Sequence, residues 1–161
     1  MELKLIRHWL VFKFTDLKNR TQFVLEQLND EQVNWRPEGE SNSISNLIYH
    51  MGENIRERIG KGIHGADYTR DRDREFADMR LSRAEAQELL TARFAELIRT
   101  AETLPEEAWF QTQRVRQQEK TNLDILLQSA AHFSEHVGQI LYIAKMCLGE
   151  RYQSASIPKK K

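Results

Sequence analysis

The stretch Ala131-His132-Phe133-Ser134-Glu135-His136-Val137-Gly138-Gln139-Ile140 decides how this chain reads. Around it Ile125, Leu126, Ala130, Phe133, Val137, Ile140, Leu141 and Ala144 recur at helical spacing and predict a long helix with one broad buried sector. Residues four apart on a helix stand one above the other, so His132 and His136 present two imidazoles to one point, at a margin of that sector. The H-E-x-x-H motif offers a metal two nitrogens in the same way.

His50 is the candidate third donor. It lies in Ser43-Ile44-Ser45-Asn46-Leu47-Ile48-Tyr49-His50-Met51, where Ile44, Leu47, Ile48, Met51, Ile55 and Ile59 form a second helical stripe. At about 100° per residue His50 falls just outside the Leu47 edge, with Asn46 and Asn54 one turn either side. All three imidazoles therefore border a core without filling it. Three histidines and an open fourth position make a catalytic metal site, whereas structural zinc sites close with four ligands, usually cysteines. The one cysteine, Cys147, excludes a closed thiolate site and reads as a small buried hydrophobe. The alternative on the same residues is three ordinary hydrogen-bonded histidines at helix margins.

Imidazole suits zinc, nickel, iron and copper, and a divalent ion, zinc or nickel first, is the expected cofactor. Ligating rings donate their second N–H to an outer acceptor, and Asn46, Asn54, Glu135 and Gln139 lie within a turn of a candidate ligand. Glu135 stands about a quarter-turn off the ligand face. His8 reads as a surface residue, and His64 falls in a connector.

The 161 residues carry 24 basic and 24 acidic side chains, 40% hydrophobic content and only three prolines and seven glycines. One soluble domain over residues 1–161 is expected, long enough to bury its own core. Balanced, interleaved charge gives no case for nucleic-acid binding. No run reaches membrane-span length, and charge interrupts the amino-terminal apolar residues where a signal peptide would be unbroken, so a cytoplasmic protein that makes no use of a membrane is expected. Lys159-Lys160-Lys161 reads as a solvated tail.

The first helix is predicted over residues 2–28, with Leu3, Leu10, Phe14, Leu17, Val24 and Leu28 on a heptad seam that Arg7 and Thr21 interrupt. Trp9, Phe12 and Phe23 fall off the seam, where core packing is expected and a subunit contact is the alternative. Trp35-Arg36-Pro37 and Pro37-Glu38-Gly39 make the next segment a connector. Ser43 or Asn42 caps the second helix, which ends near Gly60 or Gly62. Residues 61–81, with the run Arg70-Asp71-Arg72-Asp73-Arg74-Glu75, form a long connector that crosses back so that helices two and three run parallel. Ser82-Arg83-Ala84-Glu85 is a capping box for helix three, whose seam is Ala86, Leu90, Phe94, Leu97, Ala101 and Leu104, ending before Pro105. Residues 110–118 read as one short strand, and Thr121 with Asp124 starts a final helix that stops at Gly149. Four amphipathic helices give an all-α four-helix bundle, with the metal site built from side chains of facing helices.

Trp35-Arg36-Pro37, then Ser43 through His50 with Asn54, then His132-x-x-x-His136-x-Gly138-Gln139-Ile140 resemble the DinB/YfiT-like superfamily of small helical proteins. The resemblance implies an up-down-down-up bundle, commonly dimeric, in which His50, His132 and His136 hold a divalent metal. It also implies a thiol S-transferase acting on a small-molecule electrophile, with a low-molecular-weight thiol such as bacillithiol or mycothiol as cosubstrate. A metal-dependent hydrolase and a non-catalytic dimeric helical protein of stress response are the alternatives.

Overall fold

A computed structural model describes residues 2–76 and 79–156; the Lys159-Lys160-Lys161 tail lies outside the described residues. The protein is mostly helical, with one two-stranded sheet. Helix α1 spans Glu2–Leu25, and a short α2, Asp30–Val33, follows. The helix expected to reach residue 28 stops earlier because Asn29 and Gln32 form a capping box that opens a new helix. Helix α3, Ile44–Ile55, starts at Ser43, whose side chain accepts from the Asn46 amide, and passes into a π-helical turn, Arg56–Lys61. Helix α4 is Arg72–Phe76, and α5, Arg83–Thr103, begins with the expected Ser82 and Glu85 capping box. Helix α6, Asn122–Leu148, is capped by Thr121 and Asp124 and stops at Gly149, which sits at φ 55°.

Both α1 and α3 pack against α5 and α6. The core they share includes Leu10, Phe14, Ile48, Met51, Phe94 and Phe133, all 1% exposed or less. The two interruptions of the first seam have specific uses. Arg7 donates to the Ala101 carbonyl at 3.2 Å and the Leu104 carbonyl at 2.7 Å, satisfying orphan acceptors at the end of α5, while its guanidinium lies over the Trp109 ring. Thr21 is buried with its hydroxyl donating to the Leu17 carbonyl at 2.8 Å.

Two expectations are corrected. Trp9 and Phe12 are 48% and 66% exposed, and with Leu5 and Phe23 they share an outward face of α1, so they do not pack into the core. The polar run expected as one strand is the first arm of a hairpin, β1 Thr112–Val115 and β2 Gln118–Thr121, with Val115 opposite Gln118. The second arm was hidden because its last residue, Thr121, is also the cap of α6.

The long connector returns to the end of the molecule where α3 starts. There Asn34 donates to the Leu81 carbonyl at 2.8 Å and accepts from the Leu81 amide at 3.1 Å, while Ser45 donates to Asn34 at 2.8 Å. At the opposite end the hairpin is pinned to the π turn, where Gln113 donates to the Arg58 carbonyl at 3.1 Å. Gly62 lies in that junction: a Cβ there would meet the Arg58 carbonyl at 2.5 Å and collide with the Gln113 side chain. Gly138, inside α6, has open space around its Cβ position. Thermal unfolding should therefore separate the two glycines. Gly62→Ala is expected to destabilise by about 1–3 kcal/mol through overpacking, and Gly138→Ala to stabilise by about 0.5–1 kcal/mol through helix propensity.

Candidate metal centre

The Ser43 cap and the buried stripe set the rotation of α3, which leaves His50 half-buried at the core's edge. Phe133, Val137 and Ile140 do the same for α6, and His132 and His136 are half-buried beside them. Because α3 and α6 pack together, three rings from two helices meet. The Nε2 atoms of His50 and His132 are 3.3 Å apart and those of His132 and His136 are 2.8 Å apart. Among the described residues, one potential ligand atom from each of these three side chains lies within 4.8 Å of the others. Tetrahedral zinc with nitrogens at about 2.0–2.1 Å requires ligand atoms about 3.3 Å apart, and the spacing of the three rings is compatible with a shared ion.

The outer nitrogens determine which side of each ring is available. His50 Nδ1 donates to the Glu75 carboxylate at 2.7 Å, and His136 Nδ1 donates to Gln139 Oε1 at 3.1 Å. Each bond places the ring proton on Nδ1 and turns the Nε2 lone pair to the shared centre. Lone pairs that converge repel unless a proton or a cation lies between them. Burial, and then the neighbouring His136, His50 and Arg70, push His132 down to about 4, and burial likewise lowers His50 against the pull of its bond to Glu75. His132 and His50 are thus neutral near pH 7. Three converging histidines can hold a divalent ion.

Glu75 is not singled out by the sequence, where it ends the charged run of the long connector. Its side chain is fully buried, and Arg70 binds it through Nε at 2.5 Å and Nη2 at 2.7 Å. Burial pushes the Glu75 carboxyl up, but its bonds to Arg70 and His50 outweigh that and hold it below the usual carboxylate value. Arg70 reaches on to Glu57 of the π turn at 2.8 Å. The available signal is the rule that a ligating histidine needs an acceptor behind it, an acceptor that here comes from 25 residues away in the chain. Asn46 donates to the Glu75 backbone carbonyl at 3.0 Å and accepts from Arg36 at 3.1 Å, so it steadies the Glu75 segment. Asn54 lines a cavity beside His132, Glu135 is exposed, and Cys147 is half-buried. His8 is exposed, and His64 bonds Thr100 at 2.8 Å.

A family model described as "Protein of unknown function (DUF1572)" matches residues 5–161. The chain belongs to this DinB-like family. No curated protein matches this DUF1572 chain in sequence. Its fold is similar to that of a conserved protein from Enterococcus faecalis, with a TM-score of 0.76 and 16% identity over 89% of this chain and 97% of the other. It is also similar to a DinB-like protein, YjoA, from Bacillus subtilis, with a TM-score of 0.66 and 17% identity over 88% and 94% of the two chains. Among the described residues of this DUF1572 protein no helix is long and apolar enough to cross a membrane.

Acid should find this site first. A histidine whose folded pKa is depressed binds fewer protons folded than unfolded, so stability increases with pH between the two values. For His132 that window runs from about 4 to the ordinary 6.5. Glu75, also depressed, acts in the same direction at the acid end. Metal-free protein is expected to lose thermal stability as pH falls through this window, and His132→Asn to flatten the profile. An unchanged slope in that variant would contradict the assigned neutral ring.

Proposed function

We propose that the protein is a divalent-metal-dependent thiol S-transferase of the DinB-like group, cytoplasmic and built over residues 1–161 as one up-down-down-up four-helix bundle. The observation that carries this reading is the convergence of the His50, His132 and His136 Nε2 atoms, with two of the rings held from behind by Glu75 and Gln139. The chain direction is supported by contacts at the helix ends. Arg7 near the start of α1 reaches the end of α5, and Gln27, just after α1, exchanges hydrogen bonds with Gln153, just after α6. The connector that ends at Leu81 returns to the start of α3, as parallel α3 and α5 require.

His50, His132 and His136 would hold the ion, zinc or nickel, and leave one side of it open. Bound there, the ion would supply Lewis acidity, the chemistry that favours the thiolate form of a low-molecular-weight thiol near pH 7 and so its attack on an electrophilic small molecule. Glu75 raises the basicity of His50 and fixes its ring; Gln139, a neutral acceptor, fixes the ring of His136. We also propose a homodimer, to which the exposed Leu5, Trp9 and Phe12 would contribute an apolar contact.

Metal analysis after loading with zinc or nickel and desalting is the test. About one ion per chain is expected, the number three converging ligands hold, in a protein that sediments as two chains. His132→Ala should retain none, and Glu75→Gln should bind about 10–100-fold more weakly, the usual effect of removing an outer acceptor. Conjugation of a thiol to a chromogenic electrophile should disappear with the metal. A wild-type protein that retains no ion overturns the reading. Metal-dependent ester cleavage without thiol consumption would replace transfer by hydrolysis.

A further inference from the structure

A cavity of about 530 Å³ opens beside His132, between the end of α3, the hairpin and α6. Its volume lies within the range of small-molecule sites. Three cations line it: Arg58 from the π turn, Arg116 from the hairpin turn and Lys120 from β2. No aspartate or glutamate among the described residues lines it.

The acidic groups of the surrounding elements have other partners, and only Glu57 among the described ion pairs also reaches a lining cation. Glu57 bonds Arg70 at 2.8 Å and reaches Arg58 only at 3.6 Å. Glu119 stands opposite Arg114 in the hairpin and, by strand alternation, on the face away from Val115 and Lys120. Asp124 is taken up by the Thr121 cap. Burial lowers Arg58 from its ordinary value against the pull of Glu57, and the nearby Arg70, Arg116 and Arg72 add smaller contributions in the same direction as burial.

Arg116 adds a second kind of observation. It sits at φ 56°, in the left-handed region where hairpin turns favour glycine or asparagine. An arginine there tolerates backbone strain to bring a guanidinium to the cavity wall, and strain of this kind gathers at functional positions. Lys120 is oriented by Gln128, which accepts from its ammonium at 2.8 Å. Val115 and Ile125 supply an apolar side to the same space.

We propose that this cavity binds a small organic anion, a carboxylate- or phosphate-bearing molecule with a short apolar stem, whose other end lies at the histidine trio. Its assignment as the substrate of that trio rests on the metal-site reading; the anion-binding itself does not. Arg58, Arg116 and Lys120 receive the charged group by charge-assisted hydrogen bonds.

Calorimetric titration of metal-free protein at fixed ionic strength, with succinate and with inorganic phosphate as separate probes and neutral succinamide as control, tests this. Succinate, phosphate or both should bind and succinamide should not; which probe binds decides between carboxylate and phosphate. Arg116→Gln and Lys120→Gln, both at surface turns and checked for folding by circular dichroism, should each weaken binding about tenfold, as loss of one charged partner does. Arg114→Gln, on the outer hairpin face, should leave it unchanged. Absence of binding by both anions, equal binding of succinamide, or affinity unaltered in both variants overturns the proposal. Because the metal is removed, binding here stands even in a protein that holds no ion, and a negative result leaves the metal stoichiometry untouched.

Discussion

A carboxylate taken out of water must be compensated, and the fully buried Glu75 is met by Arg70 on one side and His50 on the other. Much else follows from satisfying that charge. Arg70 ties Glu75 to Glu57 and so to the π turn; Asn46 holds the Glu75 backbone; the His50 ring is fixed with its proton outward. An irregular connector is thereby fastened over α3 by polar bonds, with the helical frame beneath held by apolar packing. Removing one partner would leave the others buried without compensation, which costs far more than the net worth of the pair.

The helical frame was legible in the sequence because its signals are local. Ser43, Ser82 and Thr121 each satisfy orphan amides at a helix start, and Pro105 and Gly149 end helices by backbone restriction, whatever lies across the core. The same locality placed His50 at the edge of its stripe and His132 above His136. Glu75 was not legible in this way. Its position depends on where Arg70 and Asn46 hold a segment without periodicity, and a run of alternating charges looks like a solvated surface until tertiary contacts bury one member. Arg7 shows the converse: an arginine that spoils an apolar seam is explained once the end of α5 is beside it.

The π turn and the hairpin together give the histidine face a neighbour of a different character. One wide helical turn sends Glu57 toward Arg70 and Arg58 toward the cavity, and the hairpin pinned on it by Gln113 brings Arg116 and Lys120 to the same space. A trio of imidazole nitrogens thus borders a cationic pocket. That juxtaposition suits a reactant with one charged end and one reactive end, and π turns recur at functional sites for the same reason, since they re-aim side chains that a regular helix would hold on one face.

X-ray absorption of the zinc-loaded protein tests the central claim most directly. Three imidazole nitrogens at about 2.0–2.1 Å are predicted, with the outer-ring scattering of histidine and one further light ligand, and that signature should lose one ring in His50→Ala. A spectrum dominated by oxygen, or one unchanged by loss of His50, would contradict a shared centre between α3 and α6.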